Sequence, residues 1–111
     1  MAEDGEKMRF NYDKHNDILA IHKEFSNGEK FKGNVDVGEL ILDVSNKGRI
    51  RGIEVLDASK YLGIKRNVLS SVLDGEFSVS KNVDRVLIGI NLKCKESNIP
   101  AKIAVPVKSA F

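Results

Sequence analysis

Residues 39–75, ELILDVSNKGRIRGIEVLDASKYLGIKRNVLSSVLDG, decide the fold, because the spacing of apolar residues changes halfway along them. Leu40, Leu42 and Val44 alternate with Ile41 and Asp43, the period that a strand imposes on its two faces. Residues 45–48 (SNKG) close a turn in which Gly48 is free to take positive φ. The return strand covers residues 50–56, and its phase is uneven. Ile53 and Val55 share a face while Ile50 falls on the other. A bulge near Arg51-Gly52, inserting one extra residue, reconciles them. From Asp57 the period lengthens to about 3.6, that of a helix. Tyr61, Leu62, Lys65, Val68, Leu69, Val72 and Leu73 line one face of it. Asp57 stands where an N-cap belongs, its carboxylate able to accept a free backbone N–H. Gly75 stands where the residue after a helix belongs. Gly63 interrupts the middle at a cost of about 1 kcal/mol relative to alanine. Residues 58–73 therefore read as one bent helix or two short ones, with a Leu/Val face packed on a sheet.

Working outward, residues 8–12 (MRFNY) and 18–22 (ILAIH) read as two strands of a hairpin joined by the polar turn DKHND. Ser26-Asn27-Gly28 signals a second turn, and residues 34–37 offer a short strand with Val35 and Val37 on one face. Beyond the helical region Phe77 and Val79 alternate with serines. Val86, Ile88, Ile90, Leu92 and Cys94 give the cleanest alternation in the chain. Ile103, Val105 and Val107 face in, against Lys102, Pro106 and Lys108 facing out. Proline cannot donate to a ladder, so this last strand, residues 99–107, is expected at an edge. The fold class is α+β: an antiparallel meander of about five strands, the helical region, then about three more antiparallel strands. Residues 8–108 form one domain, and residues 1–7 read as a mobile tail. Whether the strands make one sheet or two stays open.

A chain of 111 residues, 41% hydrophobic and 31% charged, can bury a single core. Eighteen Lys and Arg against sixteen Asp and Glu make a balanced surface, which argues against nucleic acid as the partner. The lone Cys94 excludes an internal disulfide and a four-cysteine zinc site, and fits a reducing, cytoplasmic setting. No apolar run approaches the roughly 20 residues of a membrane span, and the acidic start is unlike a signal peptide.

Three pieces of residues 12–60 resemble a known family. The first is Tyr12-Asp13 with Asp17, Leu19 and Ile21. The second is Val35 and Val37 followed by Leu40-Ile41-Leu42-Asp43. The third and most specific is GRIRGIEVLDASK, residues 48–60. In this order, with short gaps, they resemble the prokaryotic domain of unknown function 2283. The resemblance implies a small, β-rich fold of meander type. It implies no activity and carries no functional residues.

Residues 58–75 are also similar to the helix-turn-helix of Xre/Cro-type repressors: Leu-Gly-Ile, a basic pair, Leu-Ser and a final Leu-Asp-Gly. In that arrangement Lys65, Arg66, Asn67 and Ser70 would face the major groove. The flanks read as strands, whereas such domains surround the motif with helices. An amphipathic helix on a sheet is the simpler reading.

Asp13, Asp17, Asp36, Asp43 and Glu54 lie near turns or strand ends. If loops converge, Asp13, Asp17, Asp43 and Glu54 are the candidates to hold a hard cation or to act as acid and base. Solvated turn acids are the simpler account. His15, His22 and Cys94 have no spacing that requires a metal. No catalytic constellation and no cofactor motif is present. The expectation is a non-enzymatic interaction module, pairing as a homodimer or with a protein partner through the edge strand 99–107.

Overall fold

The computed structural model describes residues 7–106. In chain order the elements are β1 (Met8–Asp13), β2 (Ile18–Lys23), β3 (Phe31–Val37), β4 (Leu40–Ser45), β5 (Ile50–Val55), α1 (Ala58–Leu62), α2 (Arg66–Leu69), β6 (Asp74–Lys81), β7 (Arg85–Lys93) and β8 (Asn98–Pro106). They build two antiparallel sheets, β1-β2-β5-β4-β3 and β6-β7-β8. The expected strands and the α+β class are present. Within the first sheet the neighbour of β2 is β5 rather than β3. A hairpin is thus added to the far side of a three-stranded meander, and β5 becomes the central strand.

Register converts the period-two pattern into a core. Across the first sheet Tyr12, Leu19, Val55, Leu40 and Val37 form one row, and Phe10, Ile21, Ile53, Leu42 and Val35 the next. Leu19, Ile21, Leu40, Leu42, Ile53 and Val55 are fully buried. The second sheet supplies Phe77, Val86, Ile88, Ile90, Leu92, Ile103 and Val105 to the same core. Each such side chain contributes about 1.5–3 kcal/mol relative to exposure. Burial is not confined to the space between the sheets: β6 also runs beside β1, and the Phe77 N–H donates to Met8 Sδ at 3.4 Å. Two of the four sheet edges therefore cover one another, and among the described residues no strand pairs with the outer edges of β3 and β8.

The bulge expected near Arg51-Gly52 is present. Asp43 pairs with Gly52 but Val44 pairs with Ile50, so Arg51 is the extra residue. Ile50 and Arg51 are both buried as a result. A second bulge lies at Lys32, since Phe31 pairs with Ser45 and Gly33 with Val44. Gly48 takes φ 72°, as its turn requires.

The helical region is two short helices, and three details differ from expectation. Gly63, at φ 70°, ends α1, its N–H donating to the Ser59 carbonyl. Asp57 occupies the N-cap position but makes no side-chain cap bond. Its backbone is left-handed, φ 49°, which turns it away from the ordinary cap geometry. Gly75 is not a helix-terminating residue; it lies in β6. A Cβ there would stand 2.8 Å from Phe10 Cδ1, so glycine is required by close packing of β6 against β1. The single apolar helical face is also interrupted. Leu69 and Val72 are buried, whereas Tyr61 and Leu73 are exposed. Residues 1–6, Val107 and Lys108, to which a tail and inward and outward positions were assigned above, lie outside the described residues.

Candidate functional site

The β1–β2 hairpin carries Asp13 and Asp17. Asp13 accepts the Asn16 N–H at 3.1 Å and its side-chain amide at 2.8 Å, closing the turn locally. Asp17 is buried and left-handed, φ 57°. Its carboxylate accepts the Tyr12 hydroxyl at 2.6 Å, the Ser59 N–H at 3.0 Å and the Ser59 hydroxyl at 2.7 Å. Its carbonyl accepts the Ala58 N–H at 2.9 Å. Asp17 therefore caps α1 from across the fold, the task that Asp57 does not perform. Burial alone would push the Asp17 carboxyl up. The bonds from Tyr12 and Ser59, with the nearby Arg66 charge, outweigh it and hold the carboxyl below its usual range. Burial, then the bond to Asp17 and its charge, push the Tyr12 phenol up to about 12.

Asp43 and Glu54 sit elsewhere, on the outer face of the first sheet. There Arg9, His22, Gly52, Asp43 and Asn34 form one row, and Asn11, Ala20, Glu54, Ile41 and Asp36 the next. Asp43 accepts the Asn34 amide at 2.5 Å and stands 3.3 Å from His22 Nε2. Gly52 makes room for this contact, since a Cβ there would lie 2.5 Å from His22 Cδ2. Among the described residues no group of three or more His, Cys, Asp and Glu side chains is placed to hold a metal ion. Asp13 and Asp17 are thus separated from Asp43 and Glu54, and His15 is exposed.

The helix-turn-helix-like segment places Lys65 at the N-cap of α2 and Arg66, Asn67 within or beside its single turn. Arg66 is turned toward the hairpin, its Nε 3.7 Å from Asp17 Oδ2 and its Nη1 3.5 Å from the Lys14 carbonyl. Ser70 donates its hydroxyl back to the Arg66 carbonyl at 2.8 Å. Lys65 and Asn67 are exposed.

Sequence reading missed a buried ionic cluster centred on Glu29. The carboxylate accepts Ser45 Oγ at 2.6 Å, Arg49 Nε at 3.0 Å and Nη2 at 2.9 Å, and the Ser26 N–H at 3.0 Å. Arg51 Nε stands 3.4 Å away, and Arg51 Nη2 donates to the Glu24 carbonyl. Burial opposes ionisation of Glu29, but the bonds from Arg49, Ser45 and Ser26 prevail and hold its carboxyl well below the ordinary range. The uneven phase at Arg51 was the one local signal of this cluster.

The C-terminal strand β8 is an edge, as Pro106 suggested. Pro100, Lys102, Ala104 and Pro106 share one parity. The backbone nitrogens of that parity face away from β7, the placement that a proline in a paired strand requires. Beside this edge a cleft of about 430 Å³ runs between Tyr61 and Leu62 of α1 and residues 100–104. Cys94, just past β7, is half-buried against the core. Among the described residues no helix is long and apolar enough to cross a membrane.

The chain matches the family described as "Protein of unknown function (DUF2283)" over residues 9–59, from β1 to the Ser59 that Asp17 holds. It is 32% identical to the uncharacterized protein MJ0789 of Methanocaldococcus jannaschii, over 78% of this chain and 72% of that protein. It is 20% identical to a Methanosarcina mazei protein named "Putative hypoxanthine phosphoribosyltransferase", over 88% of this chain and 77% of that protein. No solved structure matches it. With the first sheet inside the matched region and a relative aligned over most of both lengths, this chain belongs to the DUF2283 family.

Proposed function

We propose that this protein is a non-enzymatic interaction module that takes an extended segment along the outer edge of β8, from a second copy or from another protein. The observation that supports this reading is the cleft between that edge and Tyr61. An open strand edge presents backbone groups that a further strand can pair with. Pro100 and Pro106 have no N–H, so the outward donors between them are those of Lys102 and Ala104. Pairing is thereby confined to a short register. Tyr61, 41% exposed, offers an amphipathic ring to an incoming side chain. The other open edge is less suited. β3 carries a bulge at Lys32 and the charges of Lys32 and Asp36, features that blunt an edge. The single thiol fits work in a reducing cytoplasm.

Sedimentation equilibrium over a concentration series tests self-association, and amide shifts on adding extended Val/Thr-rich peptides test capture of a foreign strand. Shifts should concentrate at residues 99–105 and at Tyr61. Lys102→Pro removes an outward donor without touching the β7 ladder and should abolish them. A monomer at every concentration that also ignores the peptides ends the proposal.

A further inference from the structure

The outer edge of β8 is symmetric about Ile103. Pro100 and Pro106 each lie three residues from it, and Lys102 and Ala104 each lie one residue from it. Ile99, Ala101, Ile103 and Val105 are paired with Leu92, Ile90, Ile88 and Val86 of β7. Where that ladder begins, the Cys94 N–H donates to the Ser97 carbonyl at 2.8 Å. The odd-numbered residues of β8 therefore bond inward, and the even-numbered ones present their N–H and C=O groups outward. Between the prolines the outward donors are those of Lys102 and Ala104, each beside its own outward carbonyl. An edge whose donors and acceptors mirror about one residue is complementary to itself under a two-fold rotation.

Antiparallel pairing about Ile103 sets Lys102 opposite Ala104 of a second copy, and Ala104 opposite that copy's Lys102. Each such pair exchanges two backbone hydrogen bonds. Two donors from each copy thus make four bonds, and both N–H and C=O groups of both residues are satisfied. Pro100 then meets Pro106, so no outward donor is aimed at a proline. Neighbouring registers do worse. Centring on Lys102 opposes two like charges directly, which destabilises a sheet pair, and leaves the Ala104 carbonyl against Pro100. Centring on Ala104 leaves the Lys102 carbonyl against Pro106. On the inner side, pairing about Ile103 brings the two Ile103 residues to the close spacing of about 4.5 Å between Cα atoms. The exposed Tyr61, beside residues 100–104, flanks that seam in each copy. Pairing of β8 with β3 of another copy would be head-to-tail and would propagate unless it closed into a ring, whereas β8 with β8 closes at two copies.

We infer, building on the edge pairing proposed at β8, that the occupant of this edge is a second copy of the chain, paired antiparallel about Ile103. Two three-stranded sheets then become one of six strands. Four backbone bonds and a short apolar seam make a modest interface, so the dimer is reversible and depends on protein concentration.

Sedimentation equilibrium and disulfide trapping test this together. In a Cys94→Ala background, Lys102→Cys and Ala104→Cys are prepared as separate variants and oxidised alone and mixed. In a hydrogen-bonded pair the Cα atoms stand about 5.5 Å apart, within disulfide reach, whereas each position lies diagonally from its own counterpart at about 7–8 Å. The mixture should therefore give a cross-linked heterodimer, and either variant alone several-fold less. Ala104→Pro removes one outward donor from each copy without touching the β7 ladder, and should weaken the dimer about tenfold or more. Self-cross-linking of either cysteine variant at or above the level of the mixture overturns the inference, as does a dimer that Ala104→Pro leaves unchanged. A protein that is monomeric at every concentration yet binds extended peptides at residues 99–105 overturns self-pairing and leaves the function proposed for the edge standing. A monomer that also ignores the peptides removes both.

Discussion

Asp17 and Ser59 lie forty-two residues apart in sequence and touch in the fold, the carboxylate accepting both the Ser59 N–H and its hydroxyl. Through this pair the turn of the first hairpin holds the start of α1. A five-residue helix has little stability of its own, so its position depends on such anchors. Asp17→Ala leaves the Ser59 N–H and the Tyr12 hydroxyl without their acceptor. Lost capping and buried unpaired groups together should cost about 2–4 kcal/mol in urea denaturation. Asp17→Asn can still accept from Ser59 and tolerates positive φ, so it should cost clearly less. Equal losses in the two variants would show that the carboxylate's bonds are not what matters.

Glu29 predicts an acid limb. Its folded pKa lies below its ordinary value of 4.5. The stability it contributes is therefore complete above that value and is lost as pH falls toward the folded one. Asp17, also lowered, acts with the same sign. Urea midpoints should be flat near neutrality and fall below about pH 5. Glu29→Gln should be less stable at neutral pH and should show a shallower acid limb. A limb of unchanged steepness in that variant would contradict the assignment.

Tyr12 gives the opposite limb. Its raised pKa means that the fold favours the neutral phenol. That contribution is present below the ordinary value of 10.0 and drains away as pH rises through about 12. Absorbance titration of the phenolate should show a late-ionising tyrosine, and Tyr12→Phe should remove that phase. Persistence of the phase in the variant would assign it elsewhere.

Leu69 and Leu73 separate the two short helices from one continuous amphipathic helix. A single helix would bury both. Here Leu69 is fully buried and Leu73 is 71% exposed. Leu69→Ala should cost about 2–5 kcal/mol, and Leu73→Ala should stay within about 0.5 kcal/mol. Comparable costs from thermal or urea unfolding would restore the continuous helix.

The strands were legible because alternation is a local property. Leu40, Leu42, Ile53, Val55 and the run from Val86 to Leu92 show their faces in the sequence itself. The bulge was legible for the same reason, since Ile50 is out of phase with Ile53. Pairing across distance was not. Nothing near Leu19 says that its neighbour is Val55 rather than a residue of β3. The end of α2 was written more faintly. Ser70 and Ser71 donate their hydroxyls to the Arg66 and Val68 carbonyls, and the Ser71 and Val72 N–H groups turn back by three residues to Val68 and Leu69. Serines compete with helical bonding in this way, and two in succession outweighed the apolar spacing of Val72 and Leu73. Sites were the least legible. Asp17 was noticed as a carboxylate, but its role needs Ser59. The placement of Arg66 beside Asp17 of the first hairpin likewise depends on residues far apart in sequence.

The adjacency of β2 and β5 also has a consequence in time. The first sheet cannot zip from one end, because β1 and β2 are made before their neighbour exists. An isolated hairpin is marginal in water, so the N-terminal pair must wait, with its β5-facing side unpaired, until β3, β4 and β5 have formed. Joining them closes a long loop before any contact repays it, which slows folding toward the millisecond-to-second regime of sheet proteins. During that wait the strand with the most to lose is β2, whose Leu19 and Ile21 carry the seam.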